Sequence, residues 1–389
     1  MEPKPLMDTT WDDARLKRDR LCQLQAAMVQ QGIGALYLTE RPSVRYAVNV
    51  RVPGGAAFVP AQGEPIVFVR SLDWGYVRLS HSDVRPHIYR ADPSDAEADQ
   101  KALKWADALN GLMREYGVGG QPLGLDSCDP IGFCALQQRG FTMKNAANVL
   151  ELAKAVKTPD EIAIYWQMGK LYEDIMRFFQ EQTVPGRTEQ ELVGLITAHV
   201  FTLGAEGLLQ INVCSAENMN PWRRWPTARA FEDGDLVSLD IHVYGPGGYI
   251  FDAGRTFSCG SRIEAKKADL YRQAYDYNHR VIELLRPELS ISELKASLPP
   301  LPEKYQELVY SFHVAHSNGL TPGEYPSIMK HQKSTEDTIK ANQVLSVDCV
   351  YGEFGDGLAV KLEEQVLVTD KGAVKMADMP YDERLLSRA

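Results

Sequence analysis

The sequence predicts an α+β fold in its second part, preceded by a smaller α/β domain. Three observations carry this expectation. Up to about residue 150, short apolar runs alternate with segments of helical periodicity, the texture of an α/β unit. Near Lys157 the texture changes to long amphipathic helices with explicit start signals. Those helices are followed by β-rich runs separated by Gly and Pro clusters, which suits antiparallel strands. The predicted domains are therefore 1–155 and 156–389.

Along the chain, residues 11–31 read as a helix. Thr9 or Thr10 can cap it, Leu21, Leu24 and Met28 recur at helical spacing, and Gly32 stops it. Ile33–Leu38 and Pro65–Val69 read as strands. Thr158-Pro159-Asp160-Glu161 is a capping box with proline in the first turn, opening a helix to about Gln182. Thr188 with Glu191 and Ser290 with Glu293 repeat that signal. Strands are expected at Leu208–Val213, Leu236–Tyr244, Tyr249–Phe257, Val344–Tyr351 and Val360–Val368.

Composition narrows the function. The formal net charge of −10 argues against nucleic acid and anionic membrane as partners, because both demand a basic face. No apolar run is long enough to span a bilayer. The polar start, MEPKPLMDTTWDDARLKRDR, lacks the apolar core of a signal peptide. The six cysteines form no CxxC pair, so they read as buried small residues of a cytoplasmic protein.

The informative stretch runs from Asp235 to Phe257. Two β-rich arms flank Gly245-Pro246-Gly247-Gly248, which reads as a hairpin turn. Asp240 and Asp252 are equidistant from Pro246, so they are expected opposite each other on one face. Two like charges placed there need a cation or a proton between them. His242 shares the strand parity of Asp240 and points to the same side. Further on, His313 and His316 stand in a Gly/Pro-rich segment read as a loop. Asp348 and Glu363 each sit among Val and Leu in a strand, where an unpaired carboxylate is expensive to bury. Acids from several strands plus a histidine make the composition of a hard-cation site.

These residues resemble the pita-bread metallopeptidase family, which includes methionine aminopeptidase, aminopeptidase P, prolidase and the metal-free creatinase. The matching runs are Gly234-Asp235-Leu236-Val237 before Asp240, Gly248-Tyr249 before Asp252, and Arg255-Thr256 after it. His316-Ser317-Asn318-Gly319, Asp348 and Lys361-Leu362-Glu363 complete the order, and Arg41-Pro42-Ser43-Val44-Arg45-Tyr46 is a fainter match in the first domain. The resemblance implies a pita-bread second domain holding two divalent ions of Fe, Mn, Co or Zn, in a homodimer. Asp240 would chelate one ion, Asp252 and Glu363 would bridge two, His316 would bind the second, and Asp348 would replace a glutamate ligand.

Three departures stand out. Asp348 is one methylene shorter than the family's glutamate. His242 replaces a small residue and is either a ligand or a partner of Asp240. Gly323 stands seven residues after His316, where peptidases carry a second, substrate-contacting histidine, and His313 and His331 are the candidates to replace it in space. Within the family, Asn220-Pro221-Trp222, the twelve-residue spacing of Asp240 and Asp252, and Glu324-Tyr325-Pro326 resemble the branch containing dimethylsulfoniopropionate lyase. In that branch an aspartate stands at the position of His242 as a ligand. The branch also carries an acid taken as the base where this chain has Gly323, so Glu324 would serve only if the loop shifted its register.

The resemblance implies an enzyme that hydrolyses a C–N bond in an Xaa-Pro-like dipeptide or a small amide or amidine. Two cations would acidify a water, and Glu363 or Asp348 would pass its proton to the leaving nitrogen. His313, Trp222, Arg223 and Tyr325 are expected at the substrate. Arg223, Arg224 and Arg229 would hold a substrate carboxylate or stand as solvated charges. Trp222 and Trp225 would box a cationic group or serve as core. The alternatives are metal-dependent elimination on a small carboxylate, and a metal-free creatinase-like enzyme or ligand-binding protein.

Overall fold

The computed structural model describes residues 11–52, 54–87, 94–223, 225–310, 313–330 and 337–387. Contacts divide the chain into two compact units, one spanning Asp12–Lys154 and one beginning at Ala155.

In the first unit, β1 (Ala35–Leu38), β2 (Gly55–Pro60), β3 (Ile66–Val69), β4 (Val84–Pro86), β5 (Leu123–Leu125) and β6 (Met143–Asn145) form one mixed sheet, ordered β4-β3-β2-β1-β5-β6. Its core gathers Tyr37, Phe58, Phe68 and Trp105. The helix Asp13–Gln31 is capped by Asp12, whose carboxylate accepts from the Ala14 and Arg15 amides, and it ends at Gly32 in the left-handed conformation. The expected caps Thr9 and Thr10 lie outside the described residues.

The second unit is built on one eight-stranded sheet. Its strands are β7 (Gly207–Ser215), β8 (Leu236–Tyr244), β9 (Ile250–Ser258), β10 (His313–Ser317), β11 (Glu324–Met329), β12 (Val344–Tyr351), β13 (Val360–Thr369) and β14 (Gly372–Lys375). The order is β11-β10-β12-β13-β9-β8-β7, with β14 paired to β13. All three capping boxes form, opening helices Pro159–Gln182, Glu189–Thr202 and Ile291–Ser297. Tyr271 and Val281 of helix Ala265–Leu284 share an apolar cluster with Val347, Cys349 and Leu362 of β12 and β13. The hydroxyl of Tyr172, on helix Pro159–Gln182, donates to the Ile241 carbonyl at 2.9 Å and accepts from the Val243 amide at 2.9 Å. The long helix is thereby fastened to the hairpin backbone.

The structure corrects three sequence expectations. The hairpin connection is centred on Gly247, at φ 68°, rather than on Pro246, so His242 and not Asp240 lies opposite Asp252. Asp240 pairs with Gly254 and meets Asp252 on the diagonal of the same face. His316 is on β10 rather than in a loop, because His313–Ser317 pairs with β11 and β12 before the Gly/Pro segment begins. The cysteines are all free, but only Cys214, Cys259 and Cys349 are buried. Among the described residues, no helix is long and apolar enough to cross a membrane.

Beneath β9 and β13 lies a fully buried ion pair. The Arg255 guanidinium donates to Glu364 at 2.5 Å, to the Glu363 carbonyl at 3.0 Å and to the Pro380 carbonyl at 3.0 Å. It also stacks 4.4 Å from the Tyr381 ring centre. Breaking such a pair leaves an uncompensated buried charge. Arg255→Ala is expected to destabilise the protein by about 3–5 kcal/mol, read as a lower midpoint in urea unfolding. A midpoint equal to the parent's would show that the pair does not brace the sheet.

Candidate metal centre

The sheet register brings the acids together. Asp240 on β8 pairs with Gly254 on β9, Gly254 with Glu363 on β13, and Glu363 with Asp348 on β12. Residues directly across a ladder share a face, so this row points to one side of the sheet. His242 and Asp252 form the adjacent pair on the same face, and His316 reaches in from β10. Strand alternation adds Lys361, two residues before Glu363.

The distances are short. His242 Nε2 lies 2.8 Å from Asp252 Oδ1 and 3.8 Å from Asp240 Oδ1. His316 Nε2 lies 3.6 Å from Asp252 Oδ2 and 3.5 Å from Glu363 Oε1. Lys361 Nζ donates to Asp348 Oδ1 at 2.5 Å and sits 2.9 Å from Glu363 Oε2. Backbone and amide groups hold the acids in place. Asn212 on β7 donates to Asp240 Oδ2 at 3.3 Å, and the Asp252 amide donates to the Gln365 side chain at 2.9 Å. Gly254 is required beside Lys361: a Cβ there would stand 2.8 Å from Lys361 Cε and 3.0 Å from Cγ.

The electrostatics follow from burying four carboxylates together. Burial and the charge of Glu363 push Asp252 up to about 6. Burial pushes Asp348 up to about 7 despite the Lys361 ammonium. Burial would lower His242, but Asp252 and Asp240 outweigh it and hold the imidazole up at about 9. Burial would likewise raise Glu363, but Lys361 and His316 keep it well below the usual carboxylate range.

Two donor groups emerge, Asp240-His242-Asp252 and Asp252-His316-Glu363, each with its ligand atoms within 4.8 Å of one another. They fit a divalent transition metal. Each offers one imidazole nitrogen and carboxylate oxygens, and they share Asp252. Asp240 Oδ1 and His242 Nδ1 are buried without a hydrogen bond, and Asp252 Oδ1 and the two Glu363 oxygens face only the nitrogens of His242 at 2.8 Å, His316 at 3.5 Å and Lys361 at 2.9 Å. Buried oxygens in that state are costly, and a cation between them satisfies several at once. Asp348 belongs to neither group, because its carboxylate turns to Lys361.

These side chains floor a cavity of about 600 Å³ lined also by Leu209, Gln210, Trp222, His313, Pro322 and Gly323. His313 stands edge-on to His316, with ring centres 4.8 Å apart. Other expected residues are not in the cavity. Glu324 accepts from the Thr321 amide at 3.2 Å and hydroxyl at 2.8 Å and is 3.4 Å from Lys157, so its carboxylate is turned into the protein and the loop does not shift as a base would require. Tyr325 is not among the lining residues, and Arg223 is exposed. Arg229 is engaged by Glu217 at 3.1 Å and Asp235 at 2.7 Å, and Trp225 is exposed. Arg224 and His331 lie outside the described residues. Sequence reasoning missed Lys361, Asn212 and Gln365 as parts of the site. The shared strand parity of Lys361, Glu363 and Gln365 was the available signal for two of them.

A sequence model of metallopeptidase family M24 matches residues 163–370. Among curated proteins, the chain is 26% identical to the dimethylsulfoniopropionate lyase DddP of Roseovarius nubinhibens, over 97% of this chain and 89% of that protein. It is 24% identical to the probable dipeptidase PepE of Mycobacterium tuberculosis, over 95% of this chain and 96% of that protein. Among solved structures, an Xaa-Pro dipeptidase from Bacillus anthracis superposes with a TM-score of 0.80 at 18% identity, covering 94% of this chain and 99% of that one. Dipeptidase PepE from Mycobacterium ulcerans superposes at 0.77 with 21% identity, covering 96% and 98%. These superpositions establish the pita-bread fold.

Two expectations follow. Because Gly254 makes room for the Lys361 stem, Gly254→Ala is expected to destabilise by about 1–3 kcal/mol through overpacking, and less in a Lys361→Ala background. A double-mutant cycle on urea unfolding measures this, and simple additivity would refute the contact. Protons and metal also compete for the same atoms. Zinc affinity by titration calorimetry is therefore expected to rise with pH from about 6, through the deprotonation of Asp252, and to level off above about 9, where His242 has lost its proton. An affinity constant across that range would exclude these groups as ligands.

Proposed function

The chain belongs to metallopeptidase family M24 and is an enzyme, and from that premise we propose that it hydrolyses a C–N bond in a short peptide or small amide, with two divalent ions drawn from Fe, Mn, Co or Zn. The ligands in this reading are Asp240, His242, Asp252, His316 and Glu363, with Asp348 held beside them by Lys361. The homodimer and cytoplasmic setting implied by the family resemblance belong to the same reading.

One observation carries the choice of hydrolysis. Among the described residues lining the cavity, the carboxylates are Asp240, Asp252, Asp348 and Glu363, and each is committed to the metal cage or to Lys361. Elimination from a small carboxylate needs a further base to take the proton next to the carboxylate. Glu324 does not supply it, because its oxygens are held by Thr321 and Lys157. Hydrolysis needs no such extra base, because the proton it moves is that of a metal-acidified water, which even a weakly basic carboxylate of the cage can take.

The metal, when bound, supplies Lewis acidity and lowers the pKa of a coordinated water. The protein's own groups do the rest. Glu363, in the donor group with Asp252 and His316 and beside Lys361, is placed to accept the proton of that water and return it to the leaving nitrogen. His313 and Gln210 offer hydrogen bonds at the cavity wall. Trp222 and Leu209 exclude water above the floor.

The lyase reading retains one specific support, the 26% identity to DddP over 97% of the chain. The two reactions differ in where oxygen goes. With manganese- or cobalt-loaded protein and a panel of dipeptides and small amides in ¹⁸O-water, the expected result is amine release with one ¹⁸O in the acid product. With dimethylsulfoniopropionate the expected result is no sulfide release. Sulfide and an unsaturated acid without ¹⁸O would overturn the hydrolase reading in favour of elimination.

A further inference from the structure

Adjacent residues of a strand point to opposite faces, yet Leu209 and Gln210 both line the cavity. The register explains it. On β7, Leu208 pairs with Val243 and Gln210 with His242, so two steps along β7 match one step along β8 and Leu209 is the extra residue of a bulge. A bulge on an edge strand re-aims side chains, and here it aims two consecutive ones at the same space. Gln210 stands directly across from His242, and Asn212, two residues on, holds Asp240. The bulge is thus tied in register to the donor groups it overlooks.

The wall has a distinct chemistry. The charged residues of the cavity, Asp240, Asp252, Asp348, Lys361 and Glu363, all come from the row of β8, β9, β12 and β13 that forms its floor. The remaining wall among the described residues is Leu209, Trp222, Pro322 and Gly323, with Gln210 as an amide and His313 as an imidazole. Leu209 is 40% exposed, so its side chain offers apolar surface that nothing in the protein covers. Trp222 comes from a segment braced by the buried Glu189 carboxylate, which accepts from Ser215, Asn218 and Thr227 on either side of it.

We propose that the Leu209 bulge and Trp222 form the specificity wall of this site, selecting substrates whose group beyond the reacting bond is compact, apolar and uncharged, with Gln210 hydrogen-bonding to an amide or carbonyl beside it. This assignment deepens the metal-dependent reading and rests on it. A charged side group would have to leave water for a wall that pairs with neither sign.

The probes are alkyl hydroxamates, which chelate transition metals and carry an unbranched tail of chosen length. Zinc-loaded protein is titrated calorimetrically with acetohydroxamate, butyrohydroxamate and hexanohydroxamate. Affinity is expected to rise about threefold per added methylene as the tail covers the wall. In Leu209→Asn that dependence should fall by at least about half, with the loss growing with tail length. Leu79→Asn, an exposed leucine of the other unit, should keep the parent's dependence. Affinity independent of tail length in the parent, or a slope retained in Leu209→Asn, would overturn the wall assignment while leaving the metal reading intact. Failure of zinc-loaded protein to bind acetohydroxamate at all would overturn the metal reading, and the wall assignment with it.

Discussion

Like-charge repulsion within one face of one sheet is the constraint around which the second unit is arranged. Asp240, Glu363 and Asp348 stand in a single row across four strands, and Asp252 flanks it. Their burial removes the water that would screen them. Each neighbouring feature answers that repulsion. Lys361 places an ammonium between Asp348 and Glu363, Gly254 leaves room for its stem, and His242 and His316 approach the shared Asp252 from two directions. Cations in the two donor groups complete the balance in the proposed reading.

The strand that carries Glu363 shows how far this reaches. On one face β13 presents Lys361, Glu363 and Gln365 to the site, and on the other Glu364 meets Arg255. A central strand with charges on both faces cannot be held by apolar packing alone. Arg255 closes this account from beneath, because it binds Glu364 and the backbone carbonyl of Glu363 together. The carboxylate above and the ion pair below therefore share one segment of backbone, and the geometry of the candidate site and fold stability draw on the same residues.

Strand identity was legible because the acids sit among Val and Leu, a pattern that only a buried strand with a reason to carry charge sustains. The helix starts were legible because a capping box is a local, two-residue device. Register was not. The Pro246 centre expected for the hairpin was one residue off, since a left-handed Gly247 sets the turn and one step exchanges His242 for Asp240 opposite Asp252. Asn212 stayed hidden for a related reason: its pairing with Asp240 depends on the bulge at Leu209, which no periodicity announces. Glu324 was misassigned because its partner Lys157 is 167 residues away in sequence. The part of the site that is local in the chain could be read, and the part created by long-range pairing could not.

The same distinction bears on the imidazole at position 242. In sequence it looked like a substitution at one place in a motif. In the structure it makes the two donor groups alike in kind, since Asp240-His242-Asp252 and Asp252-His316-Glu363 each combine one nitrogen with two carboxylates. An all-oxygen group beside a nitrogen-containing one would favour different ions, whereas in the proposed reading matched groups sharing a carboxylate would suit the same borderline metal at both. An imidazole also carries no negative charge when neutral, so the floor holds one charge fewer than a carboxylate at that position would give. With Lys361 contributing a positive charge as well, the cage tolerates a neutral, apolar neighbour on its open side. That is the chemistry that Leu209, Trp222 and Pro322 present there.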